Sequence, residues 1–397
     1  MKAVRVEHVR WPLAAALGGL TLLAILLLPP VRELFILEGL RWVYIMLVSF
    51  GTAFTLTPVT IRLGHAWGLV DEPDERKIHW QATPRIGGLA VYLGFSCSVL
   101  INGIVVDWMA AILLAGSLLF IVGVADDRWN LPAWSKLGAQ LLAAGIVILS
   151  GKVLTLFPPG LPGDMANLLM TLLWIVGITN AFNFFDGMDG LAAGLAVLMA
   201  FFMGVVAFET NQPGLGWLAV ALIGAGLGFL PFNFRNTQPA LVFLGDGGAT
   251  FLGFTLACLA VKGNWADNNP IVSFSNPLLI FGLLIYDMIH ITVERLVTGK
   301  VTCFKEWIEY VGKDHLHHRL ERAVGSRRAS VAIIFALTIC LGLAALMLRK
   351  ADTGEAIMLL AQATLIVLVI TILEHRGRRA AARRAAEAGR AVRAMHH

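Results

Sequence analysis

The stretch "ANLLMTLLWIVGITNAFNFFDGMDG" (residues 166–190) runs from a mostly apolar segment into a polar ending, where Asn180, Asn183, Asp186 and Asp189 recur every three residues. The apolar part, 166–182, is close to the ~20 residues needed to cross bilayer hydrocarbon. A backbone in lipid must satisfy its own hydrogen bonds, so such a run is a helix. Comparable runs occupy 12–29, 40–61, 87–105, 109–124, 136–151, 190–208, 215–232, 247–262, 276–296, 329–348 and 355–373. None shows the alternation of a membrane barrel strand.

Composition agrees with this reading. The 397 residues are 57% hydrophobic and 14% charged, where water-soluble domains carry roughly 25% charge. So few polar groups could not cover a soluble surface. The expected fold is all-α, a polytopic integral membrane bundle of eleven or twelve transmembrane helices. Eleven holds if 12–29 lies on the membrane instead of spanning it. The flank of that segment (Lys2, Arg5, Arg10) resembles a signal peptide, but no A-x-A-like cleavage site follows Pro29-Pro30, so it reads as retained. Residues 1–373 read as one transmembrane catalytic domain and 374–397 as a basic tail.

Charge gives the orientation. The segments 1–11, 62–86, 125–136, 183–189, 233–246, 295–328 and 374–397 hold 25 of the 31 Lys and Arg. The bias places that side in the cytoplasm, with both termini if twelve helices span. The Ala- and Arg-rich tail reads as a cytoplasmic helix near anionic headgroups. A nucleic-acid-binding tail is the weaker reading, since no aromatic residue is interleaved for stacking. Cys97, Cys258, Cys303 and Cys340 show no close spacing, so neither a disulfide framework nor a zinc site is indicated.

The unusual polar residues collect on the inward side. A transporter or channel would carry ionisable groups near the midplane, so the asymmetry favours an enzyme at the membrane surface over a sugar-nucleotide transporter. The segment 68–88 contains Asp71, Arg76, Lys77, His79 and Arg85 and ends in Gly87-Gly88 at a helix start. It reads either as an anion site or as a solvated loop that enforces topology. Asp126 and Asp127 close the run 109–124 and point ~100° apart on a helix. They suit two different partners, or they form a simple helix end paired with Arg128 and Lys136. Asp246 precedes Gly247-Gly248 and a further apolar helix, where it is placed to hold a hard cation. His315, His317, His318 and Arg319 lie close to Lys313 and Arg322. Adjacent His317 and His318 are expected to diverge on a helix, which favours phosphate recognition over zinc. Carboxylates without thiolates imply Mg²⁺ or Mn²⁺, and the cations imply a phosphorylated substrate.

Six ordered segments, "VDEPDERKIH…TPRIGGLAVYLGF", "ADD", "NAFNFFDGMDGLAAG", "FLGDGGATFLG", "YDMIHITVER" and "DHLHHRL", together resemble the polyprenyl-phosphate N-acetylhexosamine-1-phosphate transferases, in the WecA/TagO-like branch. The likeness spans about residues 40 to 350. It implies a Mg²⁺-dependent reaction at the bacterial inner membrane: UDP-N-acetylhexosamine plus undecaprenyl phosphate gives undecaprenyl-pyrophosphoryl-sugar plus UMP. GlcNAc is the expected sugar, and UDP-MurNAc-pentapeptide or another UDP-N-acetyl sugar is the alternative. A homodimer is compatible with the sequence, which does not decide it.

The resemblance also implies site roles. Asp246 takes Mg²⁺ with Asn183 as second ligand, Phe243 stacks on uracil and Asp189 bonds its edge. Asp126 and Asp127 contact the lipid phosphate, Asp126 as the base and Lys136 as a partner of that phosphate. Asp186 counts with these catalytic acids, and Lys77 with the substrate-binding residues. His315, His317, His318 and Arg319 hold diphosphate or sugar, with Arg295 supporting. Where many relatives carry a third acid after the Asp pair, this chain has Asn130. That departure shifts the expected metal anchor to Asp246. A strict three-residue step fans four side chains through ~180°, so the opening stretch divides its labour. Asn180 is then left as a structural hydrogen-bonder.

Overall fold

The computed structural model describes residues 10–72, 82–104, 107–151, 153–235, 238–265, 270–310, 312–349, 351–352 and 354–372. Every apolar run of the sequence is a helix. In chain order these are α1 (Arg10–Leu26), α2 (Pro29–Leu37), α3 (Arg41–Trp67), α4 (Gly88–Ile101), α5 (Asp107–Trp129), α6 (Ala133–Leu149), α7 (Leu161–Phe184) and α8 (Leu191–Glu209). There follow α9 (Pro213–Asn233), α10 (Gly245–Lys262), α11 (Pro270–Ile280), α12 (Gly282–Val297), α13 (Phe304–Glu309), α14 (Leu316–Val324), α15 (Arg327–Leu348) and α16 (Gly354–Ile372). A two-residue antiparallel pair, β1 (Val70–Asp71) and β2 (Thr83–Pro84), lies between α3 and α4.

The polytopic all-α bundle is as expected. Among the described residues, seven helices are long and apolar enough to cross a membrane, or nine if each of two bent pairs counts as one span. The first pair, α1 and α2, bends by 70° where Pro29-Pro30 opens the second helix. The second, α11 and α12, bends by 74° just after Pro277 and before Gly282. Proline removes a helical hydrogen bond and glycine tolerates the break, which accounts for the bend. The remaining apolar helices, α4 and α6, are short at 14 and 17 residues, and α10 opens on the polar Gly245-Asp246.

The centre of the bundle is α10, in which Gly247 through Val261 are all buried. A helix apolar all round belongs in a core, and α10 packs against α4, α5, α7, α8 and α9. Small residues let it approach so closely: a Cβ on Gly88 would strike the backbone of Gly248, and one on Gly123 the backbone of Gly247. On the outside, Leu114 and Ile121 of α5, Leu142 of α6 and Leu365 of α16 are exposed, as lipid-facing side chains should be.

Candidate active site

The antiparallel packing brings the ends of α5, α7, α9 and α12 and the starts of α6, α8, α10 and α14 to one face. Exposed Trp129, Trp134 and Phe304 ring this end, as aromatic residues do at a membrane–water interface.

The acids assemble around the start of α10. Gly245 has φ +76°, and a Cβ there would collide with the Arg85 carbonyl, so the tight entry requires glycine. The Asp246 N–H donates to Asp127 Oδ2 at 2.9 Å. The Gly247 N–H is also directed at Asp127, and the Gly245 N–H at Asp186. Two carboxylates therefore cap the N-terminus of α10, where the dipole favours negative charge. The carboxyl groups of Asp126 and Asp246 lie in hydrogen-bonding distance of each other. Asp126 further accepts from Lys136 Nζ and from the Leu131 N–H, each at 2.7 Å.

Four carboxylates thus share one small volume. Among the described residues, the cations that reach them are Lys136, held by Asp126, and Arg85, ion-paired with Asp71. Burial, followed by the charges of Asp246 and Asp127, pushes the Asp186 carboxyl well above the usual carboxylate range. Asn183 Oδ1 is buried without a hydrogen-bond partner, at a stated cost of ~1–3 kcal/mol for such an atom.

This donor set suits a hard divalent cation. Among the described residues no three His, Cys, Asp or Glu side chains converge as a ready-made metal cluster. Carboxylates with one orphaned amide oxygen suit an ion that keeps waters and takes its remaining ligands from a substrate's phosphates, as Mg²⁺ does.

Phe243 and Asp189 flank the acids. Phe243 is half-buried, and its backbone is tied on both sides: its N–H donates to Pro84 O at 2.8 Å and its carbonyl accepts from the Gly87 N–H at 3.0 Å. Asp189 Oδ2 accepts from the Ala240 N–H at 3.1 Å. Sequence reasoning missed Asn233, which joins the two loops by accepting the Gly190 N–H (2.7 Å) and donating to Val242 O (2.9 Å).

The histidine segment lies across from the acids. His315 Nδ1 is 2.8 Å from Asp287 Oδ2, and its ring stacks on Phe184 with centroids 4.7 Å apart. His317 is buried with neither ring nitrogen partnered, and its ring lies against Gly187 and Phe185. Burial, followed by the neighbouring cationic groups, holds its pKa well below the usual histidine value, so the ring is neutral. His318, also shifted down by burial, faces Glu321 at 3.6 Å. Arg319 Nη1 reaches Asp314 O at 2.8 Å and Asp287 Oδ1 at 3.2 Å.

Other residues named from the sequence have partners within the protein. Lys136, expected to partner the lipid phosphate, is ion-paired with Asp126, whose two oxygens accept from Leu131 N–H and Lys136 Nζ. Arg295, expected to support substrate, grips Asp314 through two bonds of 2.8 Å and stacks on Tyr310. It holds Asp314 below the usual carboxylate range against the opposing effect of burial. The segment 68–88 is open in sequence between an anion site and a solvated loop; the Gly87 and Gly88 N–H groups at its end donate to Phe243 O and Leu244 O. The rings of His317 and His318 do not diverge; their centroids are 4.2 Å apart. Asn130 adopts φ +49° where α5 ends, a left-handed conformation that Asn tolerates. Lys77, with Arg76 and His79, lies outside the described residues. Asp287 is fully buried on an apolar helix; a charge in the interior of a membrane helix is the signal that could have found it.

Comparison with known proteins gives the family. Residues 109–264 match the family model described as glycosyl transferase family 4. A Bacillus subtilis protein named probable undecaprenyl-phosphate N-acetylglucosaminyl 1-phosphate transferase is 35% identical over 319 residues, covering 79% of this chain and 86% of its own. The decaprenyl-phosphate N-acetylglucosaminephosphotransferase of Mycolicibacterium smegmatis is 31% identical over 341 residues, 77% of this chain and 82% of its own. An Escherichia coli K12 relative, named undecaprenyl-phosphate alpha-N-acetylglucosaminyl 1-phosphate transferase, is 28% identical over 277 residues, 68% and 74% of the two chains. With the acids of α5, of the turn between α7 and α8 and of α10, and the α14 histidines, at one end of a membrane bundle, the chain belongs to the polyprenyl-phosphate N-acetylhexosamine-1-phosphate transferase family.

Proposed function

We propose that this protein transfers GlcNAc-1-phosphate from UDP-GlcNAc to undecaprenyl phosphate at the cytoplasmic surface of the bacterial inner membrane, releasing UMP. A lipid phosphate oxygen attacks the β-phosphorus of the sugar nucleotide, and the bond from that phosphorus to the bridging oxygen breaks, so UMP carries that oxygen away. The observation that carries the reading is the under-neutralised acid cluster at the start of α10, with the orphaned Asn183 oxygen beside it and the histidine segment opposite. Asp246 and Asn183 would hold Mg²⁺, with Mn²⁺ able to substitute. When bound, the ion supplies the positive charge that lets two anionic phosphates meet.

The protein's own groups position the reactants. Asp127 fixes the start of α10 and with it Asp246. Asp126 holds the Lys136 ammonium at the cluster's edge, where the acceptor phosphate would meet it. A phosphate monoester has a second pKa near 6, so orientation matters more here than removal of a proton. The neutral His317 ring, with both nitrogens unpartnered, can donate a hydrogen bond to diphosphate or sugar. Phe243 and Asp189 face the nucleotide base. All of these residues come from one chain, so the reading requires no second copy.

Purified protein in detergent, offered UDP-GlcNAc, UDP-GalNAc or UDP-MurNAc-pentapeptide with undecaprenyl phosphate, tests this. UMP release is expected with UDP-GlcNAc, dependent on both Mg²⁺ and the lipid. Release only from UDP-MurNAc-pentapeptide would reassign the sugar. No release from any of the three would overturn the transferase reading.

A further inference from the structure

On α12, two buried residues of opposite charge stand eight positions apart. Asp287 is 0% exposed and Arg295 3%. A carboxylate in such a place is costly unless several donors satisfy it. Asp287 has three from a single short segment: the His315 ring through Nδ1 (2.8 Å), the Leu316 N–H (2.8 Å) and Arg319 Nη1 (3.2 Å). Arg295 grips the preceding residue, Asp314, through two bonds of 2.8 Å. Residues 314, 315, 316 and 319 are therefore all held by one helix, and that helix is set at a 74° bend to α11. His317 sits in the middle of the held segment with both ring nitrogens unpartnered, its ring against Gly187 in the turn between Asp186 and Asp189. The stack of His315 on Phe184 joins the held segment to the residue next to Asn183.

We propose that Asp287 is a positioning residue for the sugar-nucleotide site: through His315, Leu316 and Arg319 it fixes the start of α14, so that His317 is aimed into the Asn183–Asp189 turn. Asp287 itself lies behind the histidines and does not touch the reactants. It acts on the ring of His315, on the first N–H of the α14 turn and on the guanidinium of Arg319, and its removal would leave that cation facing a neutral group. The proposal rests on the transferase reading only for its kinetic readout.

The test uses full-length protein in detergent. In Asp287→Asn, hydrogen–deuterium exchange should quicken in peptides covering 314–320 and stay at the wild-type rate in α10. The KM for UDP-GlcNAc should rise at least tenfold, with a smaller change in kcat. On a His315→Gln background, Asp287→Asn should raise KM by a smaller factor than it does alone, because the two substitutions share the His315–Asp287 contact. Wild-type exchange across 314–320 would overturn the proposal, as would effects of the two substitutions that simply multiply. If Asp287→Asn does not fold, exchange is read on His315→Gln and Arg319→Gln, which keep the acid. Quickening confined to 314–320 then supports the clamp, and unchanged exchange overturns it. Failure of the transferase reading is seen separately, as wild-type protein that releases no UMP, while the exchange result still decides the clamp.

Discussion

The two halves of the site are built on opposite electrostatic plans. Around the start of α10, Asp126, Asp127, Asp186 and Asp246 crowd together, and among the described residues they outnumber the cations that reach them and Asn183 Oδ1 has no partner. Across from them, Asp287 is held by His315 and Arg319 and Asp314 by Arg295, while neither ring nitrogen of His317 is partnered. The first half concentrates negative groups, whereas the second pairs each of its acids with a basic side chain. The comparison separates residues that stabilise the protein from residues kept for the reaction. Substitutions in the two halves should therefore differ in kind.

The sharpest contrast is expected at Asp246. Asp246→Asn should cut UMP release by roughly 10²–10³-fold, as when a preorganised electrostatic group is removed. It should leave the thermal midpoint in detergent unchanged or raised, because it relieves repulsion among buried acids. A large fall in the midpoint would break the comparison, since Asp246 would then be a structural partner.

Arg295→Gln should behave in the other way. It leaves the half-buried Asp314 without its bidentate partner, a loss of about 1.5–3 kcal/mol for hydrogen bonds to a charged group. Chemical unfolding of the purified protein should show that loss, and a stability equal to wild type would return Arg295 to the substrate-binding role first expected of it.

Much of this site was legible before the structure. The apolar runs identified the helices, and the inward bias of polar residues brought Asp126, Asp127, Asn183, Asp189, Asp246 and the histidines to one end. Asn180 also follows its expected part, exchanging amide hydrogen bonds with Gln140 at 3.1 and 2.6 Å. What the sequence could not show was pairing. Whether Lys136 meets a ligand or Asp126, and whether Arg295 meets a phosphate or Asp314, depends on tertiary distances that no spacing rule supplies. The same holds for the Gly87 and Gly88 N–H groups, which are consumed by a loop more than 150 residues away in sequence. The bends at Pro29-Pro30 and near Pro277 were hidden because hydropathy reports apolar length and not straightness.

Two smaller effects sharpen the comparison further. Phe243→Ala should weaken UMP binding by about 1–3 kcal/mol, the worth of stacking on a base. Titration calorimetry measures this, and unchanged affinity would place uracil elsewhere. His317 gives a pH signature. Its folded pKa lies well below the unfolded value of about 6.5. The stability that goes with its neutral form is present above about pH 6.5 and is lost as pH falls toward the folded value. The thermal midpoint of the wild type should therefore decline below about pH 6.5 more steeply than that of His317→Gln. Parallel curves would mean that the ring is not held neutral.

The most direct test of the unsatisfied half is metal binding itself. Electron paramagnetic resonance can follow Mn²⁺ bound by the purified protein with UDP-GlcNAc present, in wild type, Asp246→Asn and Asn183→Ala. The account expects one tightly bound Mn²⁺ per chain in the wild type, competed by Mg²⁺, absent in Asp246→Asn and weakened at least tenfold in Asn183→Ala. Equal Mn²⁺ binding by all three proteins would contradict it.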